Sequence, residues 1–156
     1  LGRAKAPLRS AFARRLWRAL EGVMSQKTDK RWESHLQAYT AADTPYKAKL
    51  FAAALTGFRR ALSLAPRDVD TLWAIADCYN EQKRFRLAER YYRSAIKQAS
   101  VKQRPALYFN LGNALFDQKR FKEAVQIYRQ APVKMARKNL SLAKERLLTS
   151  RSRPTR

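Results

Sequence analysis

The chain has 156 residues, 46% of them hydrophobic, enough for one compact domain or a short solenoid. Lys and Arg outnumber Asp and Glu by 34 to 12, a net charge of +22. Folding needs no such excess, and self-repulsion works against it, so a polyanionic partner is expected, RNA before an anionic membrane surface. The lone Cys78 excludes an internal disulfide and reads as a small buried hydrophobe, and the longest unbroken apolar run, Leu50–Leu55, is far too short to cross a membrane.

The N-terminal stretch, residues 1–31, carries nine basic residues against two acids and is read as a basic amphipathic arm. Leu8, Phe12, Leu16, Leu20 and Val23 recur at helical spacing, with Arg14, Arg15 and Arg18 largely on the other side. An Arg-rich start with no acid before Glu21 is similar to a mitochondrial or plastid targeting segment. The alternative is a surface helix that docks on the core or on RNA. The chain begins at Leu1 and not at Met, as a processed or partial sequence would.

Trp32, Leu36 and Tyr39 predict a short helix ending near Ala42. Asp43-Thr44-Pro45 then predicts a break, with Thr44 capping a new helix and Pro45 in its first turn. Phe51, Leu55, Phe58, Leu62 and Ala65 run down one side of that helix, and Pro66 ends it. Asp68 can cap a helix bearing Leu72, Ile75, Ala76 and Tyr79, whose partner carries Phe85, Ala88, Tyr92, Ala95 and Ile96. Pro105 opens the next helix with Leu107, Leu111 and Leu115, followed by Phe121, Ala124, Ile127, Tyr128 and Ala131, until Pro132 breaks the run. A last helix, about 133–149, shows Ala136, Leu140, Ala143 and Leu147 on one stripe, and a polar basic tail, 150–156, follows. No segment alternates with strand periodicity over a useful length.

The string Gln-Lys-Arg-Phe occurs at Gln82–Phe85 and again at Gln118–Phe121, an offset of 36. A period in this range means stacked structural units. Around it, Tyr108, Leu111, Gly112, Leu115, Phe121, Ala124, Tyr128 and Ala131 form one pattern. Leu72, Ile75, Ala76, Tyr79, Phe85, Ala88, Tyr92 and Ala95 form a second, and Ala54, Phe58, Ala61 and Pro66 a partial third. The pattern resembles the tetratricopeptide repeat over about residues 46–131. The resemblance implies an all-α, short helical-hairpin solenoid of about three helix pairs, with flanking basic helices and a C-terminal capping helix. The domain spans 32–131 and the cap 132–149. The helix before Thr44 lacks the signature, so the first repeat reads as degenerate or as a cap. The surplus of 36 over the family's usual 34 is expected within Gln98–Gln103.

In this family the first helix of each pair lines a concave groove. That implies a peptide groove of Asp70, Trp73, Asp77, Asn80 and Glu81 from one repeat and Phe109, Asn113, Phe116 and Asp117 from the next. Such a groove would be acidic and aromatic, suited to a basic or aromatic-anchored peptide, with packing of Trp73 and Phe109 into the core as the alternative. The outward side of the second helices would carry Arg86, Arg90, Arg93, Lys97, Lys122 and Arg129. The carboxylate-clamp subclass, which grips acidic chaperone tails, needs Lys and Arg beside an Asn. Asn113 fits, but Asp70, Asp77 and Phe109 stand where the cations belong, which argues against that subclass.

Enzyme chemistry finds no support: His35 is the only histidine, and there is no phosphate-cradling loop, no Cys/His metal set and no residue pattern calling for a cofactor. The expectation is a non-catalytic structural or assembly component of a large ribonucleoprotein, the mitochondrial ribosome first, in the mitochondrial matrix or, as the alternative, a plastid. Arg14, Arg15, Arg18, Arg137, Lys138, Arg151 and Arg153 are the expected contacts to rRNA phosphates, and the solenoid would dock on neighbouring proteins. The other reading is a protein–protein adaptor or scaffold subunit of an organellar membrane complex, touching anionic lipid through its arms.

Overall fold

A computed structural model describes residues 30–131 and 133–151. Among the described residues seven helices follow one another: α1 (Lys30–Lys47), α2 (Phe51–Leu64), α3 (Val69–Glu81), α4 (Phe85–Gln98), α5 (Arg104–Asp117), α6 (Phe121–Tyr128) and α7 (Val133–Arg151). Each packs on the next, so α1/α2, α3/α4 and α5/α6 are three stacked hairpins and α7 covers the last. The described residues contain no strand.

Every hairpin turns in the same way. Lys49, Lys83 and Lys119 hold φ near 60° (59°, 59° and 61°), the left-handed region. Their N–H groups bond back to Tyr46, Asn80 and Phe116, and the following residues Leu50, Arg84 and Arg120 bond to Pro45, Tyr79 and Leu115, at 2.8–3.0 Å. These two bonds make the Schellman motif that ends a helix, here with lysine where glycine is usual. The Gln-Lys-Arg-Phe string is this motif twice, and Ala48-Lys49-Leu50-Phe51 is its third copy, 34 residues before Gln82.

The predicted break at Asp43-Thr44-Pro45 is absent. α1 runs through Pro45 to Lys47, and Thr44, expected as an N-cap, accepts the Ala48 N–H at 3.0 Å inside the helix. Proline removes one helical bond, the one to the Ala41 carbonyl, and Ala41 is exposed so that water can satisfy it. The first repeat is thereby complete. Ala42, Ala76 and Gly112 share one buried position of the first helices; Ala54, Ala88 and Ala124, then Phe58, Tyr92 and Tyr128, share positions of the second, and Ala61, Ala95 and Ala131 continue the pattern, Ala131 just past the end of α6. These small residues are buried and let the paired helices close up. At Gly112 an added Cβ would meet the Tyr128 ring at 2.5 Å, and at Gly57 it would meet the Ala42 Cβ at 2.7 Å.

Of the two surplus residues in the longer repeat, one lies in the connection 99–103 as expected, and the other lengthens the helix, since α5 has 14 residues and α3 has 13. α6 ends at Tyr128, before Ala131, which stays buried in the turn that follows. α7 then takes the position of a further first helix. Its Ala136, Leu140 and Ala143 repeat Leu107, Leu111 and Ala114, with both alanines buried. It continues through Ser150 and Arg151, into the stretch read as a tail.

His35 is a packing residue. It is fully buried and stacks on Trp32 (centroids 4.7 Å apart), with its Nδ1 2.9 Å from the Ala61 carbonyl and its Nε2 3.7 Å from the Asp68 carboxylate. Asp68 caps α3 as expected, accepting from the Thr71 N–H at 2.8 Å. His35 thus ties α1 to α2 and to the start of α3. Cys78 is buried, and burial pushes its thiol up to about 12. No helix among the described residues is long and apolar enough to cross a membrane.

Candidate functional site

Charge is sorted by helix. α3 contains Asp70, Asp77 and Glu81 and no Lys or Arg; α5 ends on Asp117 and has Arg104 at its start as its only cation. α4, a second helix, carries Arg86, Arg90, Arg93 and Lys97, all exposed, against Glu89 alone. α3 and α5 lie side by side, since Asn110 of α5 donates to Asp77 of α3 at 3.4 Å.

Two residues expected to face a peptide also make hydrogen bonds inside the fold. Asp77 accepts the Tyr92 hydroxyl at 2.5 Å and the Asn110 amide, and Asn113 accepts the Tyr128 hydroxyl and the Asn139 amide, both at 2.8 Å. Burial lifts the Asp77 carboxyl to about 6 although its hydrogen bond from Tyr92 pulls the other way. Trp73 and Phe109 are half-buried against the core, the Phe109 ring 6.2 Å from that of Tyr128, so packing claims part of each.

A cleft of about 290 Å³ brings together Asn80, Asn113, Phe116 and Asp117 of the expected set. Tyr128 and two residues of α7, Asn139 and Leu142, complete it. The buried Asn80 Oδ1 has no hydrogen-bond partner among the described residues, and Asp117 is exposed with its carboxyl raised by partial burial. The cleft therefore joins an unpaired, buried acceptor to a carboxylate and an aromatic wall. Asp70, Trp73, Asp77, Glu81 and Phe109 lie outside its lining. Asn139 and Leu142 were missed because α7 was read only as a cover. Tyr39, Asp43 and Tyr46 line no part of this cleft but belong to the matching face of the first hairpin. They hold, 34 residues earlier, the positions of Trp73, Asp77 and Asn80, and that offset was the available signal.

On the second helices, Glu89 gathers cations across the repeat boundary. It takes Arg93 at 3.0 Å, Gln118 at 3.2 Å and the Arg120 guanidinium, which also pairs with Glu123 at 2.6 Å. Burial pushes the Glu89 carboxyl up, but the bonds from Arg93, Gln118 and Arg120 outweigh it and leave it below its ordinary value. Lys122 and Arg129 are exposed, as are Arg137 and Lys138 on α7; Arg151 is the last residue of α7. Arg14, Arg15, Arg18 and Arg153 lie outside the described residues.

Residues 68–131 match the model of the tetratricopeptide repeat family. This stretch is a tetratricopeptide-repeat segment. No curated protein matches the chain in sequence. Solved structures similar in fold include the Sgt2 TPR domain from Aspergillus fumigatus, with TM-score 0.67 and 18% identity over 78% of this chain and 85% of that one. The Arabidopsis OM64 TPR domain is similar with TM-score 0.64 and 22% identity, covering 77% and 98%. The second TPR domain of human RPAP3, solved with the HSP70 peptide SGPTIEEVD, gives TM-score 0.67 and 16% identity, covering 73% of this chain and 98% of that one. These likenesses carry the helical-repeat architecture of the segment and nothing finer.

Proposed function

We propose that this chain is a protein-interaction scaffold whose first-helix face holds a basic or aromatic-anchored peptide of a partner. The observation that supports it is the distribution of charge: α3 carries Asp70, Asp77 and Glu81 and no cation, Asp117 of α5 and the rings of Trp73, Phe109 and Phe116 join it on the first helices, and α4 carries four exposed cations. The acidic peptide held by the human RPAP3 domain is the wrong ligand for such a face, because its carboxylates would meet Glu81 and Asp117. Fluorescence anisotropy with two labelled peptides tests this. An Arg/Phe-rich peptide should bind with an affinity that falls as salt rises, and SGPTIEEVD should not compete. Tighter binding of the acidic peptide would reject the proposal.

The same reading sets the scaffold inside a large ribonucleoprotein, the mitochondrial ribosome in the mitochondrial matrix first. There Arg14, Arg15, Arg18, Arg137, Lys138, Arg151 and Arg153 would neutralise rRNA phosphates. It is supported by the net charge of +22 and by nine basic residues in the first 31. The tagged full chain, expressed in mitochondria-containing cells, should co-sediment with ribosomal subunits and leave them at high salt. Sedimentation with membrane complexes instead would favour an adaptor of such a complex.

A further inference from the structure

On α4 the exposed cations Arg86, Arg90, Arg93 and Lys97 follow one another at four, three and four residues, so they share one side of the helix. At 1.5 Å per residue they form a line about 16 Å long. The acid within the line, Glu89, is held by Arg93 and Arg120, and Glu123 of the next hairpin is held by Arg120. Neither carboxylate is left to repel an approaching anion. Arg86, Arg90 and Lys97 have no ion-pair partner among the described residues. A shallow trough of about 360 Å³ runs between these cations, with Ser94 in its lining.

We infer that this side of α4 is a phosphate-binding ridge for an RNA backbone, separate from the basic ends of the chain. The inference rests on the ribonucleoprotein reading and names a surface of the folded domain that serves it. Two of the three cations without an ion-pair partner, Arg86 and Arg90, are guanidinium groups, whose planar fork matches a phosphate's oxygens. Anchoring in a membrane draws on apolar side chains that insert as well as on charge, and the exposed large hydrophobics Leu50, Val101, Leu142 and Leu148 all lie off α4. No aromatic residue of α4 is exposed to stack a base, so the ridge reads backbone charge and not sequence.

The test uses the full chain and a fluorescein-labelled oligouridine of about 15 nucleotides. The variant Arg86→Gln/Arg90→Gln/Lys97→Gln is compared with Lys102→Gln/Lys144→Gln/Arg146→Gln, which removes the same charge from exposed positions elsewhere. At about 0.1 M salt the ridge variant should lose about tenfold or more in affinity, and its log–log salt slope should flatten by about 2, while the control loses less than about threefold. Equal losses in both variants would overturn the ridge, because net charge alone would then account for binding. Wild-type affinity in the ridge variant, with binding abolished by deleting 1–29 and 152–156, would overturn the ridge and leave the ribonucleoprotein reading intact. A wild-type chain that ignores RNA would sink both. Ridge-dependent binding to phosphatidylserine vesicles or to an acidic polypeptide in preference to oligouridine would overturn the assignment to RNA.

Discussion

Asp77 and Asn113 stand at one position of successive repeats, and each accepts the hydroxyl of the tyrosine fifteen residues further on, Tyr92 at 2.5 Å and Tyr128 at 2.8 Å. In both cases the next first-type helix adds an asparagine, Asn110 or Asn139. Asp43 holds the same position in the first repeat, but there the second helix offers Phe58, which has no hydroxyl, and Asp43 pairs with Lys47 instead. The pair is thus a repeated joint between hairpins, with a titratable acid in one copy and a neutral amide in the other.

This makes stability depend on pH through Asp77. Its folded value of about 6 lies above the ordinary 3.8, so between those values the native state keeps a proton that the unfolded chain has lost. Its contribution is full below about pH 4 and declines as pH rises towards about 6. Asp77→Asn, which copies Asn113, should remove that decline. Urea unfolding should find the variant near wild type at about pH 4 and more stable by roughly 1–3 kcal/mol at about pH 7. A stability difference that does not change with pH would show that Asp77 is not the titrating group.

Gly112→Ala should destabilise, although alanine favours helix. The new methyl would overlap the buried Tyr128 ring, whose hydroxyl is fixed to Asn113. Overpacking should outweigh the gain in helix propensity and leave a net loss of about 1–2 kcal/mol in chemical denaturation. Gly57→Ala should cost at least as much, because its methyl would meet the backbone of α1 at the Ala42 Cα, 3.2 Å away, as well as the Ala42 Cβ.

Lys83→Gly should stabilise. Lys83 holds φ 59° at the end of α3, where an L side chain is strained and glycine is not. A gain of about 0.5–1 kcal/mol is expected from thermal or urea unfolding. Gln82→Gly next to it, at an ordinary φ of −77°, should lower stability.

Glu81→Gln/Asp117→Asn should weaken a cationic peptide by about three- to tenfold and flatten its salt dependence, without moving the unfolding midpoint, since both side chains are exposed. The same variant should bind oligouridine as well as wild type does. Unchanged peptide affinity would remove these two acids from the binding face.

The two later hairpins were legible because their aromatic and alanine positions recur at fixed offsets, and their capping signals, Asp68 and Pro105, lie where the helices begin. The first hairpin was obscured by Pro45, which looks like a helix start but sits in a last turn whose lost bond falls on an exposed carbonyl. The face of α3 and α5 was legible as a set of residue types. Which of them turn inward was not, because that depends on tyrosines from the partner helices. The shared fifteen-residue spacing of Asp77–Tyr92 and Asn113–Tyr128 could have exposed it. The share of α7 in the cleft follows from the early end of α6, which periodicity alone does not announce.

Setting Asp70, Asp77 and Glu81 on α3 and four exposed cations on α4 makes the charge of the repeat segment uneven, and so gives it an electric dipole moment as well as a net charge. Long-range fields act on such a moment before any contact forms and rotate the molecule during approach, within the reach that salt permits. A body polarised in this way would arrive at a polyanion with its cation-rich α4 leading, which raises the fraction of productive collisions.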